Sequence, residues 1–201
     1  MKLEPIAVVG LGGVFPDAPT LDAFWANIAA RGCAAREIPD GRWLLSKDEA
    51  FDARRGAPDK VYSLKACLLD GFSPELSGLD VDSDLVARLD PLYGLALHAA
   101  RQAFLSSKTE KIDRSRAGVV IGNIVLPTDG ASAFSRELLR GALAEKVLGR
   151  RPPARPAEPL NRYVAGLPGS LIAQGLRLGG GAFTLDAACA SSLYAVKLAC
   201  D

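Results

Sequence analysis

Short apolar runs separated by glycine and proline divide this chain into predicted strands and helices. The β-branched run Ile6–Val9 ends at Gly10 and predicts a strand buried on both faces. Residues 118–122 and 182–185 predict two further short strands. Because predicted helices separate these strands, the pattern indicates the α/β class.

Helical spacing of apolar residues predicts three amphipathic helices. Thr20 is placed to cap the first, Asp90-Pro91 begins the second, and residues 133–148 form the third. The predicted inward residues are Leu21, Phe24, Trp25 and Ile28 in the first helix, Leu92, Leu95, Ala96 and Ala99 in the second, and Phe134, Leu138, Leu139 and Ala142 in the third.

Two more segments near the C-terminus predict helices of a different kind. Residues 168–174 predict a short helix that ends at Gly175. The segment from Ser191 to Cys200 is apolar almost all round, which predicts a buried central helix.

Composition and charge narrow the function mainly by exclusion. The 201 residues suit one domain, 1–201, with loop-rich insertions at 33–80 and 150–160. The net charge of +1 gives no reason to expect nucleic acid or a membrane as a partner. We find neither a span of ~18 apolar residues nor a signal peptide. Four cysteines without a C-x-x-C pair favour free thiols in the cytoplasm, and the single His98 cannot complete a Cys/His zinc site.

The junction between the strand at 182–185 and the apolar segment after it carries the candidate chemistry, at Cys189. A helix N-terminus has unpaired N–H groups and a partial positive charge, which favour a thiolate nucleophile and stabilise an oxyanion. Ala187, Ala188 and Ala190 leave room for an acyl group. An unreactive buried cysteine fits these residues about equally well, so the pattern alone leaves both interpretations open.

The neighbouring polar residues are weaker candidates for chemistry. Asp186 is more typical of a turn than of a catalytic acid, because a carboxylate beside a thiolate disfavours the thiolate. Ser191 and Ser192 fit hydrogen-bonding roles in the first turn of the helix better than nucleophilic ones. His98 fits a packed helix better than acid–base catalysis.

Five stretches of the sequence, in order, resemble β-ketoacyl synthases. The stretch T-L-D-A-A-C-A-S-S-L at 184–193 is similar to the active-site signature of that family. Residues 6–28 resemble its opening strand, glycine loop and first helix, and 38–43 resemble the P-x-x-R-W element of its polyketide-type members. Residues 89–91 resemble the M-D-P helix start, and 116–122 resemble the R-x-G-V-x-x-G strand.

This resemblance implies a thiolase-like α/β fold of which the chain holds the N-terminal half, a mixed sheet with a buried nucleophile helix. It implies that Cys189 accepts an acyl group from a phosphopantetheine thioester on an acyl carrier protein, with its backbone N–H as half of an oxyanion hole. The acyl group then condenses with a malonyl-type extender that loses carbon dioxide. The family's two catalytic histidines and a nearby lysine lie in the second half, so we expect this chain alone not to condense.

The same resemblance implies the partners of the chain. They are an acyl carrier protein or carrier domain, the C-terminal ketosynthase half and a second copy in a homodimer, with no cofactor or metal held by this chain. After Asp90-Pro91, polyketide-type members usually continue with Gln and Arg, whereas this chain has Leu92-Tyr93-Gly94. The resemblance is therefore closer to iterative synthases such as those that make polyunsaturated fatty acids. Two other hypotheses stay open: a non-catalytic truncated fragment that serves interaction or dimerisation, and a cysteine thioesterase.

Overall fold

The computed structural model describes residues 5–43, 45–107, 111–124, 128–150 and 157–201 of the chain. The chain divides into two compact units, Val14–Phe72 and the combination of Met1–Gly13 with Ser73–Asp201. The candidate nucleophile belongs to the second of these, which is the larger unit. No helix in the described ranges is long and apolar enough to cross a membrane.

The smaller unit consists of two short helices and an antiparallel strand pair. Its elements are α1 (Leu21–Ala29), β1 (Ala35–Glu37), α2 (Lys47–Ala50) and β2 (Lys65–Cys67). The predicted cap of α1 is confirmed, because the Thr20 hydroxyl accepts a hydrogen bond from the Ala23 N–H. Its predicted inward face is only partly right: Leu21 and Phe24 are half-buried, whereas Trp25 and Ile28 are exposed.

The larger unit packs helices against a pair of parallel strands. Its elements are α3 (Ser83–Arg88), α4 (Pro91–Ser106), β3 (Val119–Gly122), α5 (Asp129–Leu148), α6 (Leu167–Leu176), β4 (Ala182–Leu185) and α7 (Ser191–Cys200). Strands β3 and β4 run parallel, with Val119 opposite Ala182 and Gly122 opposite Leu185. Helices connect these parallel strands, so the predicted α/β class is confirmed. The parallel pair β3–β4 and the antiparallel pair β1–β2 are separate two-stranded sheets, so neither described sheet is itself mixed.

The core of the larger unit lies where α4 meets α6. Tyr93 and Leu97 of α4 are fully buried, and Leu171 and Ile172 of α6 pack into the same cluster. The predicted inward face of α4 is therefore displaced by about one residue, because Leu92 and Ala96 only flank the cluster. Burial of Tyr93 is possible because its hydroxyl donates a hydrogen bond to the Leu160 carbonyl, 3.1 Å away. Burial, aided by the charge of Asp90, raises the pKa of Tyr93 to about 12.

A buried carboxylate joins the start of α4 to the start of α5. One oxygen of Asp90 accepts from the Leu92 N–H, as predicted for a helix cap, and the other accepts from the Gly130 N–H at 2.8 Å. The Asp90 N–H donates to the side-chain oxygen of Asn161, which is also buried. A Cβ on Gly130 would lie 2.8 Å from that carboxylate, so only glycine allows this approach. No local sequence pattern predicts this long-range contact.

The strand predicted at Ile6–Val9 is wrong. These residues form no strand, and Val8 is 80% exposed. The segment that follows is bound to α4 instead: the Leu11 N–H donates to Ser106 Oγ and the Gly13 N–H donates to Gln102 Oε1, both at 3.0 Å. No strand in the described part of the chain pairs with it, and a lone apolar run cannot form a buried strand without a pairing partner.

The face of α5 and the end of α6 also differ from prediction. Phe134 is half-buried as expected, but Leu138, Leu139 and Ala142 are exposed, and Gly141 is the residue that α5 buries. The apolar periodicity predicted that α5 is a helix, but it did not predict which face of the helix packs against the rest of the fold.

Helix α6 does not end at Gly175. It continues to Leu176 and ends where Arg177 adopts a left-handed conformation. Gly175 is buried inside the helix because Leu79, Val81 and Leu97 pack over it, and a Cβ there would lie 3.2 Å from Val81. Of the predicted loop at 150–160, residues 151–156 lie outside the described residues.

Candidate active site

Cys189 lies in a single tight helical turn, Ala188–Ala190, between the end of β4 and the start of α7. Its side chain is exposed, and it is a free thiol. The strand-turn-helix arrangement predicted from the sequence is therefore present. The ladder of β3 and β4 continues up to this turn, because the Asn123 N–H donates to the Leu185 carbonyl at 3.1 Å. Asn123 also donates from its side chain to the Val164 carbonyl, which attaches the strand ends to the segment before α6.

Three hydrogen bonds hold the turn in place. Asp186 accepts from the Ala188 N–H at 2.9 Å, which is the turn-forming role expected for it. Ser191 Oγ accepts from the Ala187 N–H at 2.9 Å and donates to the Ala188 carbonyl at 2.7 Å. The first-turn hydrogen-bonding role predicted for Ser191 is confirmed.

The residue before Cys189 has a strained backbone. Ala188 has a φ of +49°, in the left-handed region that residues with a Cβ rarely adopt. This conformation costs roughly 1–2 kcal/mol for a residue other than glycine. Such strain persists where surrounding contacts enforce it, and it occurs often at catalytic turns. The sequence did not indicate it.

Gly122 at the end of β3 lets the start of α7 approach the sheet. A Cβ at this position would lie 2.6 Å from the carbonyl carbon and oxygen of Ser191, and 2.9 Å from the Ser192 nitrogen. No side chain fits between the strand and the helix at this point. In the sequence Gly122 is only part of a strand motif, and its contact with the turn depends on the tertiary structure.

Helix α7 follows the candidate nucleophile, as predicted, but this chain does not bury it. Only Ser191 and Ala195 are buried, and Leu193 is 74% exposed. The apolar pattern predicted a buried helix, but β3 and β4 cover only one of its sides. In the described structure no side chain caps its first turn. The positive end of the helix dipole therefore faces the turn that carries Cys189.

The other residues considered for chemistry have structural roles or lie elsewhere. His98 on α4 accepts a hydrogen bond at Nδ1 from the Glu75 N–H, which agrees with a histidine in a packed helix. Burial lowers the pKa of His98, and the nearby Arg101 acts in the same direction while Glu75 opposes it. Cys200 is exposed at the far end of α7.

A cysteine on a strained strand-to-helix turn of an α/β fold is typical of enzymes that form a covalent intermediate. The sequence profile of one family, described as "Beta-ketoacyl synthase, N-terminal domain", matches residues 3–201. The chain belongs to this family, as its motifs predicted, and its fold is the N-terminal half of the thiolase-like fold.

Known relatives agree with this assignment. Polyketide synthase ThaG of Burkholderia thailandensis is 30% identical over 198 residues, which cover 98% of this chain and 3% of that protein. PfaC Keto synthase-Chain length factor has a TM-score of 0.80 and 29% identity, over 96% of this chain and 22% of that chain. A β-ketoacyl synthase from Burkholderia phymatum shares the fold, with a TM-score of 0.62 at 18% identity over 95% of this chain and 41% of that one. The chain thus spans a small part of the length of these relatives.

Proposed function

We propose that this chain carries the nucleophile of a condensing enzyme, with Cys189 as the residue that holds the growing acyl chain. The observation that supports this most is the placement of an exposed thiol on the strained turn between β4 and α7. Exposure alone does not distinguish Cys189, because Cys200 is exposed as well; its place on the strained turn before a helix does.

In the first step, the Cys189 thiolate attacks the carbonyl carbon of an acyl thioester on phosphopantetheine. A carbon–sulfur bond to Cys189 forms, and the bond to the phosphopantetheine sulfur breaks, so that thiol leaves and takes a proton. The oxyanion that develops between these events accepts a hydrogen bond from the Cys189 backbone N–H, near the positive end of α7. The described part of the chain supplies every group that this step needs except the second hydrogen-bond donor to the oxyanion.

The second step requires residues beyond this chain. A malonyl-type thioester loses carbon dioxide, and the resulting carbanion attacks the acyl carbonyl and expels the Cys189 thiolate. Acid–base groups have to assist the decarboxylation. The one histidine of the chain, His98, is engaged with the Glu75 backbone. We therefore assign the step to the histidines of a C-terminal ketosynthase half, with an acyl carrier protein or carrier domain delivering both substrates.

The kind of synthase is a narrower proposal. Leu92-Tyr93-Gly94 follows Asp90-Pro91 where Gln and Arg are usual in polyketide-type members, which favours an iterative synthase of the polyunsaturated fatty acid type. Tyr93 and Gly94 are both buried, and Gly94 packs under Pro74, where a Cβ would lie 3.0 Å from the proline ring. The departure from the polyketide-type pattern at these positions therefore concerns how α4 packs.

The first experiment is intact-mass spectrometry of the full chain after exposure to the hexanoyl thioester of pantetheine. We expect a mass increase of one hexanoyl group less one hydrogen. Cys189→Ala should abolish the adduct, and Cys200→Ala should keep it, since Cys200 is an equally exposed thiol at the other end of α7. An adduct that survives in Cys189→Ala, or none at all, would contradict the proposal.

Two further outcomes distinguish the other hypotheses. Steady release of hexanoate that depends on Cys189 would indicate a cysteine thioesterase. No adduct, together with iodoacetamide alkylation at equal rates on Cys189 and Cys200, would indicate a non-catalytic unit. Condensation is tested separately by supplying the histidine-bearing half with a malonyl carrier protein, and we expect a 3-ketoacyl product only in its presence.

A further inference from the structure

The hydroxyl of Ser191 lies at the centre of the turn that presents Cys189. The side chain is almost completely buried, with 6% of the residue exposed. It accepts from the Ala187 N–H at 2.9 Å and donates to the Ala188 carbonyl at 2.7 Å. One hydroxyl group therefore binds both residues that come directly before the candidate nucleophile.

One of these bonds acts on the residue whose backbone is strained. Ala188 has its φ of +49°, its N–H donates to Asp186, and its carbonyl accepts from both the hydroxyl and the backbone N–H of Ser191. Because the two partners hold opposite ends of the same residue, Ala188 cannot relax to a right-handed conformation while both remain. Such a relaxation would turn the peptide plane that leads into Cys189 and move its sulfur.

The sheet fixes Ser191 from the opposite side. Gly122 brings the end of β3 so close to the Ser191 backbone that a Cβ would lie 2.6 Å from its carbonyl group. The serine is thus held against a strand on one side and binds the turn on the other. The orientation of Cys189 is set by contacts that run from β3 through Ser191 to Ala188.

We propose that Ser191 is a positioning residue for Cys189: its hydroxyl holds the left-handed turn that aims the thiol at the incoming thioester. This inference rests on the proposed acyl transfer and goes further by naming the side chain on which that reactivity depends. The neighbouring Ser192 has the same chemistry but an exposed side chain, so it provides a matched control within the chain.

The test uses four variants of the full chain. Ser191→Ala removes the hydroxyl. Threonine and valine have the same shape as each other, but only Ser191→Thr keeps a hydroxyl. A threonine hydroxyl on a helix can donate to the carbonyl three positions earlier, as the Ser191 hydroxyl donates to Ala188 here. Ser192→Ala is the control. For each we measure the rate of hexanoyl transfer to Cys189 against thioester concentration, together with the thermal melt.

We expect Ser191→Ala and Ser191→Val to lower the maximal acylation rate by about 10- to 100-fold, since a displacement of about 1 Å at a reacting group costs this much. The half-saturating thioester concentration should stay within about three-fold, and the measurement is made well below each melting temperature. Ser191→Thr and Ser192→Ala should remain within about three-fold of wild type. A purely structural role would instead slow acylation only in proportion to the unfolded fraction.

Each contrary result has a distinct meaning. Equal loss in Ser191→Thr and Ser191→Val, or in Ser192→Ala and Ser191→Ala, would overturn the role of this hydroxyl. If wild type takes up no acyl group, the proposed function is wrong. The positioning role of Ser191 is then tested by the ratio of the iodoacetamide labelling rates of Cys189 and Cys200. A ratio changed in Ser191→Ala and Ser191→Val but not in Ser191→Thr would still show positioning, and a constant ratio would overturn it.

Discussion

Helices α6 and α7 have the same length but opposite surroundings. Each has ten residues. Six residues of α6 are buried, including Leu171 and Ile172, whereas α7 buries only Ser191 and Ala195. The apolar content of a helix therefore indicates how much apolar surface it can bury. The neighbouring elements decide whether that burial occurs.

The difference lies in how many sides are covered. Helix α6 packs between α4 and the strand pair, with Gly169 over β4 and Gly175 under Val81 and Leu97. Helix α7 meets β3 closely at Gly122, and nothing in the described ranges covers its other side. Leucine, tyrosine and valine side chains on that side are exposed.

The largest expected effect comes from removing the same side chain in the two helices. Leu171→Ala in α6 should lower the free energy of unfolding by about 2–5 kcal/mol, because Leu171 is only 7% exposed. Leu193→Ala in α7 should change it by at most about 0.5 kcal/mol. Urea denaturation of the full chain measures both. Equal costs would mean that α7 is covered in solution, and sedimentation at two concentrations would then reveal self-association.

A second test concerns how closely each helix approaches the sheet. Gly122→Ala should cost about 1–3 kcal/mol, because its Cβ would overlap the backbone at the start of α7. Gly169→Ala places a Cβ 3.5 Å from Thr184 Oγ1, an ordinary contact, and should stabilise α6 by up to about 1 kcal/mol through helix propensity. The two variants should thus shift the urea midpoint in opposite directions. A shift in the same direction would mean that the two glycines are under similar constraint.

A third test examines the polar group under α6. The hydroxyl of Thr184 on β4 is buried and has no hydrogen-bond partner among the described residues. Thr184→Val should raise the free energy of unfolding by about 1 kcal/mol, because it removes an unsatisfied group and keeps the shape. Thr184→Ser keeps the hydroxyl, loses a methyl group and should destabilise. Thermal melts compare the three proteins, and a Thr184→Val variant less stable than wild type would indicate a hidden partner for the hydroxyl.

The smallest effect is a pH dependence on the α4 side of the same core. Burial lowers the pKa of His98 below its unfolded value of about 6.5. The unfolded chain therefore binds the proton first as pH falls, so this contribution to stability is present above about pH 6.5 and is lost as pH falls through the lower folded pKa. Urea midpoints between pH 7.5 and 5 should decline in wild type. His98→Gln should make that decline smaller. If the decline of the urea midpoint with pH is unchanged in the variant, other titratable groups cause it.

The turn around Cys189 was largely predictable because its determinants are local. The strand at 182–185, the junction at Cys189 and the helix beyond it all follow from residues within a few positions of one another. The turn role of Asp186 and the first-turn role of Ser191 were predictable for the same reason. The left-handed conformation of Ala188 was not predictable, because no local pattern indicates it.

What the sequence determined by itself was the kind and order of most elements, the helix caps at Thr20 and Asp90, and the family, because these depend on neighbouring residues and on motifs. The tertiary structure alone decided which faces are buried. It displaced the buried face of α4, exposed Leu138 of α5, left Ile6–Val9 outside any strand and covered α6 but not α7. The physical reason is that hydrophobic burial has no direction of its own, so an apolar side chain is buried only where another part of the fold meets it.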